Sequence, residues 1–378
     1  MHITLLEPAV TEGAFRYSGE VFINDENQYH IYFDIPTEIC SGINRRAQED
    51  AFFLMGSIIS SVLCVSFAYP YTVSPALLKN AETIACVLKM HKSPIKSIYH
   101  SVKLAVQRAL PHARTTSTDV PSNKRGQFFT LGLDSFYTLL CAPKKAEYLV
   151  YVDGFDVPLK QIDLLLKIHS TIENVSKKTG TKTLFMSTNV RELSDKILGW
   201  ESFDGAAFAM CSYFVGYRMN EIYNNNNWGY NNNTTKYCGI GTHIDPYFST
   251  EYIKFLSCGH DKLRYEKAVE MSASPYFDLV LNYARPCYRN DQKGLADFNC
   301  CKCAKCTTSY LSLVAASGEL IIPAFPDFNI QRLHTIIPVK APGVKESLEA
   351  TYKHLYKRFG PDAEIVKETG KYVEKLKI

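Results

Sequence analysis

From Phe128 onward the chain alternates runs of strand length with stretches of helical period, and this alternation restricts its fold more than any other feature. The first run, Phe128-Phe129-Thr130-Leu131, enters a tight turn carrying Gly132, Asp134 and Ser135, and the amphipathic segment Phe136 to Leu140 leaves it. Tyr148-Leu149-Val150-Tyr151-Val152 is a continuous apolar run of buried-strand type, closed by Asp153-Gly154-Phe155-Asp156. Leu159 to Lys178 sets Ile162, Leu165, Leu166, Ile168 and Ile172 at helical spacing, Thr183 to Thr188 reads as the next strand, and Gly205 to Tyr217 as a strongly apolar helix. Strand, helix, strand in this order predicts an α/β fold, a parallel sheet with helices on both faces. Ligands of such sheets sit beyond the carboxyl ends of the strands. The Gly132 to Ser135 turn, Asp153 and Thr188-Asn189 would all lie there. A turn that opens a helix presents unpaired N–H groups and a positive dipole end, which suit an anion. An ordinary capped loop has the same appearance, so the turn does not decide the matter alone.

The flanks follow other patterns. Residues 1 to about 40 hold short apolar segments separated by polar turns and predict a small antiparallel sheet. Ala51 to Ala68 is the most apolar stretch, but it is marginal in length for a membrane span and rich in serine, so a buried core helix is expected. A further helix follows, with Ser74 as cap, Pro75 at its first position, and Leu77, Leu78, Ala81, Ile84, Ala85 and Leu88 in period. Val102, Leu104 and Val106 alternate as in a strand. The polar, turn-rich stretch from Pro111 to Arg125 marks a domain boundary. The expected organisation is an α+β N-terminal domain over 1–120, a sheet domain over 121–320 and a helical extension over 321–378, in which Leu348, Tyr352, Leu355 and Tyr356 share a face. The asparagine-rich run 224–233 reads as an insertion or loop rim.

A net charge of +4 from 42 basic and 38 acidic residues, dispersed along 378 positions, does not suggest a nucleic-acid footprint. The N-terminus lacks the basic start and apolar core of a secretory signal, so a soluble, cytoplasmic protein is expected. Five of the twelve cysteines fall between Cys287 and Cys306, and such clustering favours metal over disulfides. Cys300, Cys303 and Cys306 form Cys-x2-Cys-x2-Cys, and twelve residues separate Cys287 from Cys300. Four thiolates satisfy tetrahedral zinc and leave no open position, which makes the expected metal structural. An iron–sulfur cluster and a chance group of buried thiols are the alternatives. Cys301 is a spare.

The turn at Thr130-Leu131-Gly132-Leu133-Asp134-Ser135 resembles the Ser-Gly-Gly-x-Asp-Ser loop of PP-loop ATP pyrophosphatases. The cysteine quartet resembles the zinc site of one branch of them, the 7-cyano-7-deazaguanine synthase (QueC-like) enzymes. Val152 to Asp156, Gly241-Thr242-His243-Ile244-Asp245-Pro246, Arg264-Tyr265-Glu266-Lys267 and Asn299-Cys300 look like a related group with an extra N-terminal domain. The likeness covers roughly residues 125 to 315. It implies a PP-loop (HUP-like) domain in which Thr130, Gly132, Asp134 and Ser135 hold ATP phosphates with Mg²⁺ assisting, Asp153 lies on the nucleotide side, and Zn²⁺ sits on the cysteines. Three positions depart from the pattern: Thr130 replaces the first serine and keeps its hydroxyl, Leu131 replaces a glycine, and Cys301 stands where glycine is usual.

The implied reaction is adenylation of a carbonyl or carboxylate on a small, nucleobase-like substrate, followed by replacement of AMP with nitrogen to give an amide or nitrile. Thiolation and non-catalytic nucleotide binding are the rival readings. Such chemistry needs phosphate charge neutralised and the developing oxyanion stabilised. Asp134, Ser135, Arg264 and Lys267 are the catalytic candidates, although Arg264 and Lys267 also fit a solvated helix face. His243 and Asp245 are candidates for substrate contact, or for shaping a turn. Sulfur transfer would need a further thiol, from Cys141, Cys211, Cys238 or Cys258. The expected partners are a small-molecule substrate and an ammonia or sulfur donor, with no membrane and no nucleic acid, and a homodimer is left open.

Overall fold

A computed structural model describes residues 1–38, 42–90, 106–107, 110–111, 123–225, 239–289, 298–339 and 342–376. The expected strand at Val102 and Leu104, residues 226–233 of the asparagine run, Cys238 and most of the expected boundary at 111–125 lie outside the described residues.

The N-terminal part carries β1 (His2–Leu5), β2 (Ala9–Thr11), β3 (Ala14–Phe22), β4 (Gln28–Pro36), α1 (Arg45–Leu63), β5 (Phe67–Ala68), β6 (Thr72–Val73), α2 (Pro75–Met90), β7 (Val106–Gln107) and β8 (Leu110–Pro111). The middle follows with β9 (Arg125–Phe128), α3 (Leu133–Cys141), β10 (Tyr148–Asp153), α4 (Ile162–Thr179), β11 (Lys182–Thr188), α5 (Arg191–Ile197), α6 (Trp200–Val215), β12 (Glu221–Asn225) and β13 (Lys254–Cys258). Among the described residues, α7 (Arg264–Met271), α8 (Phe277–Tyr283), α9 (Ala304–Ser317), α10 (Pro342–Phe359) and α11 (Glu364–Glu374) follow.

The fold is α/β around a mostly parallel central sheet. Strands β11, β10, β9, β12 and β13 are neighbours in that order and all parallel. The chain thus steps from β9 to β10 to β11, then returns across the sheet to β12 and β13. By the rule for open α/β sheets, this reversal marks the carboxyl ends of β9 and β12 as the place where a ligand can enter without meeting a crossover helix. Its cause is visible in the packing. Helices α3 and α4 bury Phe136, Leu165, Ile168 and Ile172 on one face, whereas α6 buries Phe203, Ala206, Met210 and Phe214 on the other.

The antiparallel strands expected at the N-terminus are present as β1, β3 and β4, but they do not form a sheet of their own. Asp34 and Phe33 of β4 pair with Ser187 and Thr188 of β11, so one sheet of eleven strands runs through both parts. The core is shared as well. Phe214 of α6 lies 5.3 Å from Phe33 and 4.8 Å from Tyr17, ring centre to ring centre. Such aromatic pairs contribute about 0.5–1.5 kcal/mol each beyond the area they bury.

The stretch expected as a core helix is α1, buried almost without a break from Ala47 to Ser61 and opened by Asn44, whose side chain accepts from the Ala47 N–H. Among the described residues no helix is long and apolar enough to cross a membrane. Helix α2 begins at Pro75 as expected, but its first free N–H is met from elsewhere: the Glu251 carboxylate accepts from Ala76 N at 2.7 Å, and the Ser74 hydroxyl donates to the same carboxylate. The C-terminal helix is two helices, because Gly360 turns the chain at φ 80 and Pro361 cannot continue α10.

Candidate functional site

The loop between β9 and α3 stands where the strand order reverses. Phe129 N–H donates to Val150 O, which holds the loop to β10, and α3 starts directly after Gly132. By helix geometry its first N–H groups have no acceptor within the helix. The Ser135 hydroxyl turns back to Gly132 O at 2.9 Å, and Gln127 braces the same turn by donating to Ser135 O. Leu131 adopts φ 61, the left-handed region in which glycine is at ease, and its side chain is fully buried. A leucine here therefore holds a glycine-type conformation, at a cost of about 1–2 kcal/mol.

Helix α7 brings two cations to this loop. Arg264 and Lys267 are three residues apart and so share a helix face. Lys267 Nζ lies 2.7 Å from Asp134 Oδ1 and Arg264 donates to Asp134 Oδ2 at 3.2 Å. The Lys267 side chain is 1% exposed and that of Arg264 20%, so neither lies on a solvated face. Burial raises the Asp134 carboxyl, but the charges of Lys267 and Arg264 outweigh it and hold the group below the usual carboxylate range. Gly259, at φ 74, makes room for this arrangement: a Cβ there would meet Lys267 Cε and the Tyr137 ring at 3.0 Å.

The other expected residues fall around the same edge of the sheet. Asp153 ends β10 and lies 2.9 Å from His169 Nε2 of α4, whose ring stacks on Phe185. The next residue, Gly154, has φ 93, and a Cβ there would come within 2.0 Å of Thr188 O. Asp156 lies in the turn that follows. Asp245 is fully buried on the far side of β12: it accepts from Gly241 N at 3.1 Å, from Asn224 and from Ser257, and so ties the turn that carries His243 to the ends of β12 and β13. Burial pushes its carboxyl up to about 7, against the pull of those hydrogen bonds. Desolvation pushes the thiols near the loop upward too, half-buried Cys141 to about 11 and buried Cys258 in the same direction, as it does Cys211 within α6.

Cys287, Cys300, Cys303 and Cys306 are all buried, with their sulfurs within 4.8 Å of one another. Cys306 Sγ lies 3.4 Å from Cys303 Sγ and 3.9 Å from Cys300 Sγ. Tetrahedral Zn–S bonds of ~2.3 Å set sulfurs about 3.8 Å apart, so the cluster can hold a metal ion such as zinc. Hydrogen bonds from the Cys303 and Cys306 thiols pull Cys287 downward, and those two thiols are pushed upward in turn. A divalent cation would displace the shared protons. Asn299 binds the cluster together, accepting from Cys287 N and donating to Ala284 O and Ala324 O. Cys301 points away, toward Asn299 O, and like Leu131 takes a left-handed backbone, φ 52.

Several residues of the site carry no motif in the sequence. Arg285, two positions before Cys287, is buried and donates its backbone N–H to Leu131 O at 2.7 Å, so the cysteine cluster and the loop are mechanically joined. Gln127 Oε1, Tyr151 Oη and Asn225 Oδ1, on β9, β10 and β12, are buried with no hydrogen-bond partner among the described residues. Buried polar atoms rarely remain so. The only signal for Arg285 is its nearness to the first cysteine; Gln127 and Asn225 had none.

Comparison with protein-family models, with curated proteins and with solved structures returns no match, so a functional reading rests on the residues and their geometry.

Proposed function

We propose that this chain is an ATP-dependent enzyme of the PP-loop ATP pyrophosphatase type. It adenylates a carboxylate or carbonyl of a small substrate and replaces AMP with nitrogen. The observation that carries the reading is the convergence of Lys267 and Arg264 on Asp134 in the first turn of α3, at the point where the strand order reverses. A polyphosphate placed there meets free N–H groups, a helix dipole and two cations in a setting from which water is largely excluded. Thr130, Gly132 and Ser135 shape the phosphate turn, and Asp134 keeps both cations aimed at it. Mg²⁺ bound with ATP would add charge neutralisation on the leaving pyrophosphate.

The chemistry follows from charge. The substrate oxygen attacks the α-phosphorus, pyrophosphate leaves with its electrons, and Lys267 and Arg264 stabilise the charge that develops. Nitrogen then displaces AMP from the activated carbonyl. We favour nitrogen over sulfur because a sulfur carrier needs an accessible thiolate, whereas of the candidate thiols among the described residues Cys211 and Cys258 are buried and Cys141 is half-buried. Cys287, Cys300, Cys303 and Cys306 would hold a structural metal, and the cluster carries Arg285, whose backbone N–H binds the Leu131 carbonyl.

Incubation with ATP, Mg²⁺ and a panel of carboxylates and purines, with ammonia or sulfide as separate nucleophiles, tests the reading. Release of AMP and pyrophosphate, lost in Lys267→Ala, is the expected result. Absence of both products across the panel, together with no ATP binding, overturns it.

A further inference from the structure

Four strands place polar residues at one level of the sheet. Arg16 of β3 pairs with Asp34 of β4, Asp34 with Ser187 of β11, and Ser187 with Asp153 of β10. Partners in register project from the same face, so the four form a continuous row. This row floors a cleft of about 510 Å³, whose rim includes Glu12 in the turn between β2 and β3. Arg16 is held by both oxygens of Asp34 at 2.7 Å, and the Ser187 hydroxyl donates to Asp34 at 3.2 Å. The guanidinium is therefore already neutralised. Glu12, Asp34 and Asp153 against Arg16 leave the lining at a net charge of −2. Such a lining repels an anion and selects a cation. Asp153 is also the residue that ends β10, the strand next to the one that leads into the Thr130 to Ser135 loop.

On the reading that the loop adenylates an acid, we propose that this cleft seats the nitrogen donor, and that the donor is an organic primary amine bound as its ammonium. Its volume supports this: ammonia fills a space near that of one water, about 30 Å³, whereas clefts of several hundred Å³ fit small organic molecules. Asp153, fixed by His169, takes the ammonium hydrogen bonds, and Glu12 adds charge at the solvent side. In the transfer the ammonium loses one proton to solvent, and its lone pair forms the C–N bond as the C–O bond to AMP breaks. AMP leaves with that electron pair, and the second proton follows from nitrogen to solvent.

Calorimetric titration of the full chain at low salt with 1,4-diaminobutane, 1,4-butanediol and succinate tests the cleft. The diamine should bind and the diol and diacid should not. Asp153→Asn should weaken the diamine about tenfold, as the loss of a charged hydrogen bond does. The rim variant Glu12→Gln, at an exposed position that does not threaten folding, should weaken it about two- to threefold. Equal binding of the three probes, no diamine binding, or binding unchanged in both variants overturns the proposal. A second arm reads AMP release with the carboxylate panel. Turnover that ammonia supports fully and that neither variant alters overturns the donor role and leaves the adenylation reading standing. Diamine binding with no AMP release under any condition removes both the adenylation reading and the donor role.

Discussion

Replacing Asp134 by asparagine should destabilise the protein far more than the loss of one surface ion pair, because of what it leaves behind. The Lys267 side chain is 1% exposed and its ammonium lies 2.7 Å from Asp134. Removing one member of a buried pair strands the other and costs about 3–5 kcal/mol, whereas removing both leaves no uncompensated charge. Asparagine keeps the shape and one acceptor, so Asp134→Asn is placed at about 3 kcal/mol. Lys267→Met leaves Asp134 with Arg264 and is placed at about 2 kcal/mol. The double variant should cost about 2 kcal/mol rather than the sum, a coupling of about 3 kcal/mol. Equilibrium urea unfolding with zinc in excess reads all four proteins. Additivity within about 0.5 kcal/mol would show that the two groups do not meet, and would refute the site as described. The pH dependence carries the same sign. The folded carboxyl lies below its unfolded value of about 3.9, so its contribution is complete above that pH and is lost as pH falls through the folded value. Wild type should lose this stability in acid, and Asp134→Asn should lack that part of the loss.

Three further outcomes are expected. Cys303→Ser should drop bound zinc from about one per chain toward none and lower the melting temperature, read by metal analysis and calorimetry; full retained zinc would remove the metal reading. Leu131→Gly should be more stable than Leu131→Ala by about 1 kcal/mol, although both lose a buried side chain, because only glycine relieves the left-handed backbone; the reverse order in urea unfolding would contradict φ 61 at this position. Asp245→Asn should flatten the fall in stability between about pH 4 and pH 7. A carboxyl raised to about 7 contributes most below its unfolded value and loses that contribution as pH rises through 7. An unchanged melting-temperature profile would show that this group does not carry the proton.

Much of the fold was legible because burial writes itself into local pattern. The apolar run at Tyr148 to Val152 is β10, the helical period after Leu159 is α4, and the serine-containing apolar stretch is α1, since a buried strand or helix must place apolar groups on its buried faces whatever lies beyond. The cysteine cluster was legible for a similar reason: two-residue spacers bring Cys300, Cys303 and Cys306 together with little help from the rest of the chain. Other features depend on partners far away in sequence. Glu251 closing the end of α2, β4 pairing with β11, and Arg285 holding the Leu131 carbonyl leave no mark in local composition. Nor could spacing separate two readings of Arg264 and Lys267, because a solvated helix face and a pair of cations aimed at a carboxylate have the same three-residue interval.

The sequence by itself determined the α/β class, the four sulfurs and the loop that opens α3, because each is set by neighbours within a few turns of chain. Only the tertiary structure decided that the N-terminal strands extend the same sheet and that Asp134 gathers Lys267 and Arg264. It alone assembled the row from Arg16 to Asp153 into the floor of a cleft. Those features depend on strand order and on burial across elements more than a hundred residues apart, and distance of that kind is not encoded in periodicity.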